Sequence, residues 1–383
     1  MNIVGTRPNL VKMAPLIRAM RSITDLDPVL VHTGQHYDYL MSQVFFEQLG
    51  MPAPEYNLKA GSGSQHEQTA EIMKRFGELV QQDRPDMVVV VGDVNSTIAC
   101  SMVAAKERIP LAHVEAGLRS GDRTMPEEIN RILTDSISDL LFTTEESGNE
   151  HLCREGVPAE KVFFAGNIMI DSLVYSIEAA RKSALAAKLA LPRRGYGVLT
   201  LHRPSTVDEA GKLRAVLAAV IEIAKELPVL FSIHPRTQGQ ITSAGIDGMN
   251  SWDGEHAIKK SGVWMMRPAP YLDFLGMLDG AAFVITDSGG IQEESTFMGV
   301  PCLTFRDNTE RPATIKYGTN RLVGTDSSAL IHHAKDVLRR VDRNTESAHP
   351  VPPLWDGRAA ERIVEILHHY LQFGAGRVAN LGL

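Results

Sequence analysis

Cysteine is scarce and scattered in this chain. There are three among 383 residues, Cys100, Cys153 and Cys302, and no Cys-x-x-Cys pair. That excludes a disulfide framework and a cysteine zinc site, and it favours a reducing compartment, the cytoplasm. No run of about 18 apolar residues occurs, so no membrane span is expected. No basic segment leading into an apolar core opens the chain, so no secretory signal is expected. A surplus of positive charge is also missing: 39 Lys and Arg stand against 46 Asp and Glu, a formal charge of −7. Duplex nucleic-acid binders usually carry a basic excess, and nucleic acid is not an expected partner. An anionic small molecule stays open, because a few local arginines, lysines or backbone amides suffice to hold one. No segment that reads as a helix carries a His-x-x-x-His pair, and no obvious metal cluster occurs, so no metal is expected.

What is present is an ordinary globular composition, 44% hydrophobic and 22% charged, arranged as short apolar runs between longer amphipathic stretches. Runs at 1–4, 87–91, 111–114, 140–143 and 162–165 read as strands buried on both faces, as in a parallel sheet. Helix-length segments such as 96–108 lie between them. The alternation then starts afresh, with strand candidates at 198–201, 229–233, 263–266, 283–286 and 302–305. After Asp208, Leu213, Val216, Leu217, Val220 and Ile221 share one helical face. A polar helix over about 171–189 separates the two halves, and a last helix runs over about 357–373. The expected fold is α/β, two Rossmann-like lobes facing a cleft. The expected divisions are 1–168, 169–355 and 356–383.

Ligands of open parallel sheets bind beyond the carboxyl ends of the strands. Polar groups recur there in both halves: Gly5-Thr6-Arg7-Pro8, Gly92-Asp93, His113 to Arg119, His202-Arg203-Pro204, His234-Pro235-Arg236 and Asp287-Ser288-Gly289-Gly290. Ser288, Gly289 and Gly290 precede a helix expected over 291–298, whose free amides suit phosphate. A plain strand-to-helix turn is the simpler account of that string. Glu294 is placed to accept from ribose hydroxyls, although carboxylates are common in first turns for dipole reasons. Arg7 and Lys12 are candidate diphosphate cations, although either one alone reads first as a solvated surface charge; Arg311 is another candidate, in a loop whose alternative reading is surface salt bridges.

Asp93, Glu115, Glu127, Glu128 and His202 are the acid–base candidates. Glu127, Arg131 and Asp135 share a helical face and fit a simple surface ion pair as well. Glu115, directly after an apolar strand, is the hardest to dismiss, since partial desolvation moves a carboxylate toward useful acid–base range. His113 reads first as a satisfied core histidine.

Taken in order, GTRPN, TGQHYD, GDVNST, HVEAGLRS, MPEEINR, LTLHRP, HPR, DSGGIQEES and RDNTERP resemble the non-hydrolysing UDP-N-acetylglucosamine 2-epimerases, from Gly5 to about Gly324. The resemblance implies the two-lobed fold also used by many glycosyltransferases, with a C-terminal helix crossing back to the first lobe. It implies anti elimination of UDP through 2-acetamidoglucal, with no metal or other cofactor. It carries acid–base roles onto Asp93, Glu115, Glu127 and His202. Nucleotide or substrate binding falls to Arg7, Lys12, His234, Arg236, Tyr271, Ser288, Gly289, Gly290, Glu294 and Arg311. Gln35 and His36 match a motif that binds an activating second UDP-sugar, and a homodimer is implied. The chain departs from the pattern at Asn9, where many members have Glu, and at Asp38, where many have Gln. It departs again after Arg203, where Pro204-Ser205-Thr206-Val207-Asp208 replaces Arg-Glu-Asn. The last departure leaves a 2,3-diacetamido or uronic-acid UDP-sugar open as substrate, and a two-lobed glycosyltransferase is the alternative of a different reaction class.

Overall fold

The computed structural model describes residues 1–34, 46–340 and 349–374. The chain divides into two compact units, Met1–Val174 with Pro353–Leu383, and Tyr175–Pro352. Each is a Rossmann-like lobe built on one seven-stranded parallel sheet.

The sheet of the first unit consists of β1 (Asn2–Val4), β2 (Leu30–His32), β3 (Tyr56–Asn57), β4 (Val88–Val91), β5 (Leu111–Ala116), β6 (Leu140–Thr143) and β7 (Val162–Phe164). Its spatial order is β3-β2-β1-β4-β5-β6-β7. The second unit follows a similar scheme, except that its fourth strand lies between its second and its third. It contains β8 (Gly197–Thr200), β9 (Pro228–Ser232), β10 (Asn250–Ser251), β11 (Gly262–Met266), β12 (Phe283–Thr286), β13 (Cys302–Thr304) and β14 (Asn320–Leu322), ordered β10-β11-β9-β8-β12-β13-β14. In each sheet the order reverses beside the first strand, which is the switch point where such sheets open a crevice.

Continuous apolar strands follow from burial on both faces. Along β8, β9 and β12, Leu199, Phe231 and Ile285 join Val216, Leu217 and Val220 in one cluster. Their neighbours Val198, Leu230 and Val284 join Met277 and Leu278 in another. Successive side chains point to opposite faces, so each strand needs apolar residues at every position. In the first unit, Val88 and Val90 pack with Ile72, Phe76 and Val103 in the same way.

Several expectations change in detail. The short strands β2, β3, β10 and β14 were not anticipated; at two or three residues each they lack a period to detect. The single helix expected over 171–189 is two, Ile168–Arg181 and Ala184–Leu189. Ser183 caps the second by accepting from the Leu185 amide at 3.1 Å, which ends the first. β5 also runs further than the apolar run, so His113 and Glu115 lie within it.

The final helix, Ala359–Phe373, belongs to the first unit and packs on the helix Arg7–Arg21. Its start is fixed by Asp171, whose carboxylate accepts from the Ala359 and Ala360 amides at 3.1 and 2.7 Å. Nearby, Trp355 donates to the Thr144 carbonyl at 3.0 Å, and Arg362 to that of Ala165 at 2.8 Å. Burial pushes the Asp171 carboxyl up to about 6, against the pull of the two amides and Arg362. A carboxyl with a raised folded pKa binds its proton more tightly when folded. Its contribution to stability is therefore complete below about pH 4 and is lost as the pH climbs through 6. Asp171→Asn should remove that share, on the order of 2 kcal/mol, from the decline of urea-unfolding stability between pH 4 and 7. An unchanged slope would show that Asp171 is solvated in the folded chain.

Candidate active site

The carboxyl ends of β1, β4 and β5 carry the polar groups of the first unit. Glu115 is 3% exposed, and its carboxylate is ion-paired with the Lys12 ammonium, itself 8% exposed. Lys12 reaches it from the helix Arg7–Arg21, which starts directly after β1. The Glu115 backbone has a φ of +75°, at the point where the β5–β6 register shifts by a bulge. A non-glycine residue held in that region is strained, and such strain gathers at functional sites. Gly92, following β4, has a φ of +66°; a Cβ there would stand 3.0 Å from Lys12 Nζ and 3.6 Å from Glu115 Oε2. A side chain there would crowd the ion pair, and the positive φ itself favours glycine.

Asn9 ties β1 to β4. Its Oδ1 accepts from the Gly5 and Thr6 amides at 3.3 and 3.2 Å, and its Nδ2 donates to the Val91 carbonyl at 2.9 Å. A carboxylate at position 9 has no proton to give Val91, which is what the departure from Glu provides here.

Asp93 is one quarter exposed, and its Oδ2 accepts from Arg131 Nη1 at 2.5 Å. Arg131, 2% exposed, also donates to Glu128 Oε2 at 2.6 Å, and Glu128 accepts from the Ser120 and Gly121 amides at 3.0 and 2.9 Å. Burial pushes the Glu128 carboxyl up, but the Ser120 amide and Arg131 outweigh it and hold it low. This overturns the surface ion pair read from helical spacing: Arg131 takes Glu128 and Asp93, Asp135 takes other partners, and Glu127 is exposed. Asp135 accepts from Arg119 Nη2 at 2.7 Å and lies 2.6 Å from His113 Nδ1. His113 Nε2 stands 2.9 Å from the Gly92 carbonyl, so this histidine is a satisfied core residue behind the site. Burial raises the Asp135 carboxyl, yet His113 and Arg119 keep it below the usual range. Arg7 lies exposed at the start of its helix.

In the second unit His202 stands two residues beyond the end of β8, its side chain half exposed. Its Nδ1 lies 2.9 Å from Asp287 Oδ1, and the His202 and Arg203 amides donate to Asp287 Oδ2 at 3.0 and 2.9 Å. Asp287 is fully buried; burial raises its carboxyl but His202 and these amides bring it below the ordinary range. A carboxylate on Nδ1 fixes the ring and leaves Nε2 turned away to exchange a proton. Asp287 was visible as a strand-end residue but not as a site residue, because only the fold sets β8 beside β12.

The helix after β12 begins at Gly289, two residues earlier than expected, so Gly289 and Gly290 supply amides of its first turn. Glu294 on that helix is 4% exposed, and burial, with the charge of Glu293, pushes its carboxyl up to about 8 against a hydrogen bond from Tyr271. Burial and Glu294 raise the Tyr271 hydroxyl in turn. Arg311 donates to Glu293 Oε1 at 2.7 Å. Ser288, Gly289 and Gly290 thus form one helix start with Arg311 beside it, while Glu294 and Tyr271 meet further along the same helix. His234 and Arg236 do not join them: His234 caps the helix Pro235–Ser243, and Arg236 is paired with Asp208 at 2.5 and 3.0 Å. Gln35 and His36 lie outside the described residues. Among the described residues no cluster of His, Cys, Asp and Glu has the form of a metal site, and no helix is long and apolar enough to cross a membrane.

A sequence profile described as UDP-N-acetylglucosamine 2-epimerase matches residues 18–368. The UDP-N-acetylglucosamine 2-epimerase of Methanocaldococcus jannaschii is 40% identical over 370 residues, covering 95% of this chain and 97% of that one. A crystal structure of that enzyme in complex with UDP-GlcNAc and UDP superposes with a TM-score of 0.85, over 96% of this chain and 99% of that one. The UDP-2,3-diacetamido-2,3-dideoxy-D-glucuronate 2-epimerase of Pseudomonas aeruginosa is 35% identical over 370 residues, covering 96% and 98%.

The Glu128–Arg131 pair tests how far these charges depend on one another. Glu128→Ala removes the acceptor of a buried guanidinium and of two amides, and should lower urea-unfolding stability by about 3–5 kcal/mol. A loss under about 1 kcal/mol would mean that water solvates Arg131 as well as Glu128 does.

Proposed function

The chain belongs to the UDP-N-acetylglucosamine 2-epimerase family of isomerases, and we propose that it interconverts UDP-N-acetylglucosamine and UDP-N-acetylmannosamine without releasing free sugar. The observation that carries this reading is Glu115, buried against Lys12 on a strained backbone in β5, with Asp93 following the adjacent strand β4. Proton exchange at a carbon centre needs carboxylates held away from water and fixed in direction, and these two are fixed by Lys12 and Arg131.

In this mechanism a base takes the proton from C2 while UDP leaves C1 by anti elimination, giving 2-acetamidoglucal. The proton returns to the opposite face of C2, and UDP re-adds at C1. Asp93, Glu115, Glu127 and His202 are the acid–base groups, with Asp287 orienting His202. The intermediate is neutral and bound only through its contacts, so UDP has to be gripped independently of the sugar. Ser288, the Gly289 and Gly290 amides, Arg311 and the ribose acceptor Glu294 are suited to that grip, with Tyr271 steadying Glu294 and Arg7 and Lys12 as further cations. His234 and Arg236 are assigned to substrate contacts by the family resemblance alone. The chemistry requires no metal or nicotinamide. A homodimer, a cytoplasmic location and a role in supplying precursors for surface polysaccharide go with the same proposal.

The likeness to the P. aeruginosa diacetamido-glucuronate epimerase favours one second reading, the same C2 chemistry on a more heavily substituted UDP-sugar. Incubation with UDP-N-acetylglucosamine in D₂O, followed by proton NMR, separates the two. The manno isomer should appear with deuterium at C2, and no exchange with this sugar alongside exchange with the diacetamido-uronate would select the second reading. Asp93→Asn and Glu115→Gln should each abolish the exchange and leave UDP binding within about threefold. Loss of UDP binding in both would make these carboxylates part of the nucleotide site instead.

Ribose hydroxyls donate to Glu294 most strongly when it is ionised, and its proton leaves only near pH 8. UDP affinity by titration calorimetry should therefore rise from pH 7 through 8 and level off by 9. Glu294→Gln should flatten that rise at a weaker overall affinity; an equal rise in the variant would place the titrating group elsewhere.

A further inference from the structure

Arg306 is a buried cation with a donor to spare. It is 6% exposed; its Nη2 donates to Asn308 Oδ1 at 3.1 Å and is ion-paired with Glu310 Oε2 at 2.8 Å. Its Nη1 is buried without any hydrogen-bond partner. A guanidinium nitrogen shut away from water with both N–H groups unused is unfavourable, and native structures keep such groups where a ligand completes them.

The surroundings say what kind of ligand. Glu310 shares its other oxygen with Arg203 Nη2, at 3.0 Å, so one carboxylate serves two guanidiniums. The same Glu310 oxygen stands 2.9 Å from where a Cβ on Gly289 would lie, and Arg311 Cζ is 3.9 Å from that point. Arg311 has Glu293 as its partner. Three arginines thus face two carboxylates beside a helix start, and the neighbouring Glu294 holds its proton up to about pH 8 and does not redress the balance. Burial lowers the Arg306 guanidinium from its ordinary value, and Arg203 and Arg311 lower it further against the pull of Glu310.

We propose that Arg306 is a phosphate-binding residue, its Nη1 donating to the terminal phosphate of the nucleoside diphosphate held at the Gly289 helix start. This rests on the UDP-sugar reading of that helix. It goes beyond it in assigning the leaving-group contact. When the bond between sugar C1 and the phosphate oxygen breaks, the electron pair stays on that oxygen and the phosphate gains one negative charge. A guanidinium fixed beside it by Glu310 and Asn308 then binds free UDP more tightly than the UDP-sugar, which lowers the barrier to elimination.

Titration calorimetry of UDP and of UDP-N-acetylglucosamine with the parent, Arg306→Met and Arg306→Lys tests this. Arg306→Met should weaken UDP by about 10- to 100-fold and the UDP-sugar by clearly less, with kcat falling alongside UDP affinity. Arg306→Lys keeps the Glu310 pair, and with it the local fold, but is too short to present a second N–H where Nη1 stands; it should lose at least half of that effect on a logarithmic scale. A thermal melt of each unliganded variant shows which are folded, and the lysine variant decides if the methionine variant is not. UDP binding within twofold of the parent in a folded variant overturns the assignment of Arg306. A parent that fails to bind UDP overturns the reading of the helix itself, which is a separate outcome.

Discussion

Glu115 has lost nearly all of its water, and the Lys12 ammonium stands where that water would be. A buried carboxylate without a partner is untenable, and a buried pair is tolerable only when its geometry is held. Much of the first unit can be understood as that holding. The helix bearing Lys12 has to leave β1 at once, which fixes the tight turn at Gly5. Asn9 locks this turn to the end of β4. A side chain at Gly92 would crowd Lys12, and the bulge in β5 turns the Glu115 carboxylate toward the ammonium rather than along the pleat. The strain at Glu115 is stored in a framework of buried strands that leaves it no easy relaxation.

The same economy governs the neighbouring charges. Arg131 and Asp135 sit on one helix yet serve different strands, Arg131 fixing Asp93 after β4 and Asp135 fixing His113 within β5. Each is buried and each has more than one partner, so neither swings freely. The second unit uses arginine more heavily. Asp287 steadies His202, Glu310 joins Arg203 to Arg306, and Glu293 seats Arg311. These carboxylates act on other side chains, which leaves the half-exposed imidazole of His202 and the amides of a helix start as the groups offered outward.

The two units therefore specialise. The first presents carboxylates whose direction is set by buried cations, as proton transfer requires. The second presents cations and amides whose direction is set by buried carboxylates, as binding a phosphate requires. The proposed elimination, in which UDP stays bound while a neutral sugar fragment is turned over, has use for both kinds of surface.

The sequence by itself determined the class of fold, because apolar runs long enough to be buried on both faces admit few alternatives to a parallel sheet, and it located the strand ends where Asp93, Glu115, His202 and the Ser288 helix lie. The order of its motifs was also enough to reveal the family. It could not rank Glu127 against Glu128: adjacent helical residues point about 100° apart, and which one turns inward depends on how the helix is rotated against the sheet. Glu128 turned in and Glu127 out. Nor could it pair Arg131 with Asp93, His202 with Asp287 or Arg306 with Glu310, whether tens of residues apart or only four. Such pairings arise when parallel strands are set side by side and loops close over their ends, a matter of three-dimensional packing on which the local pattern of residues is silent.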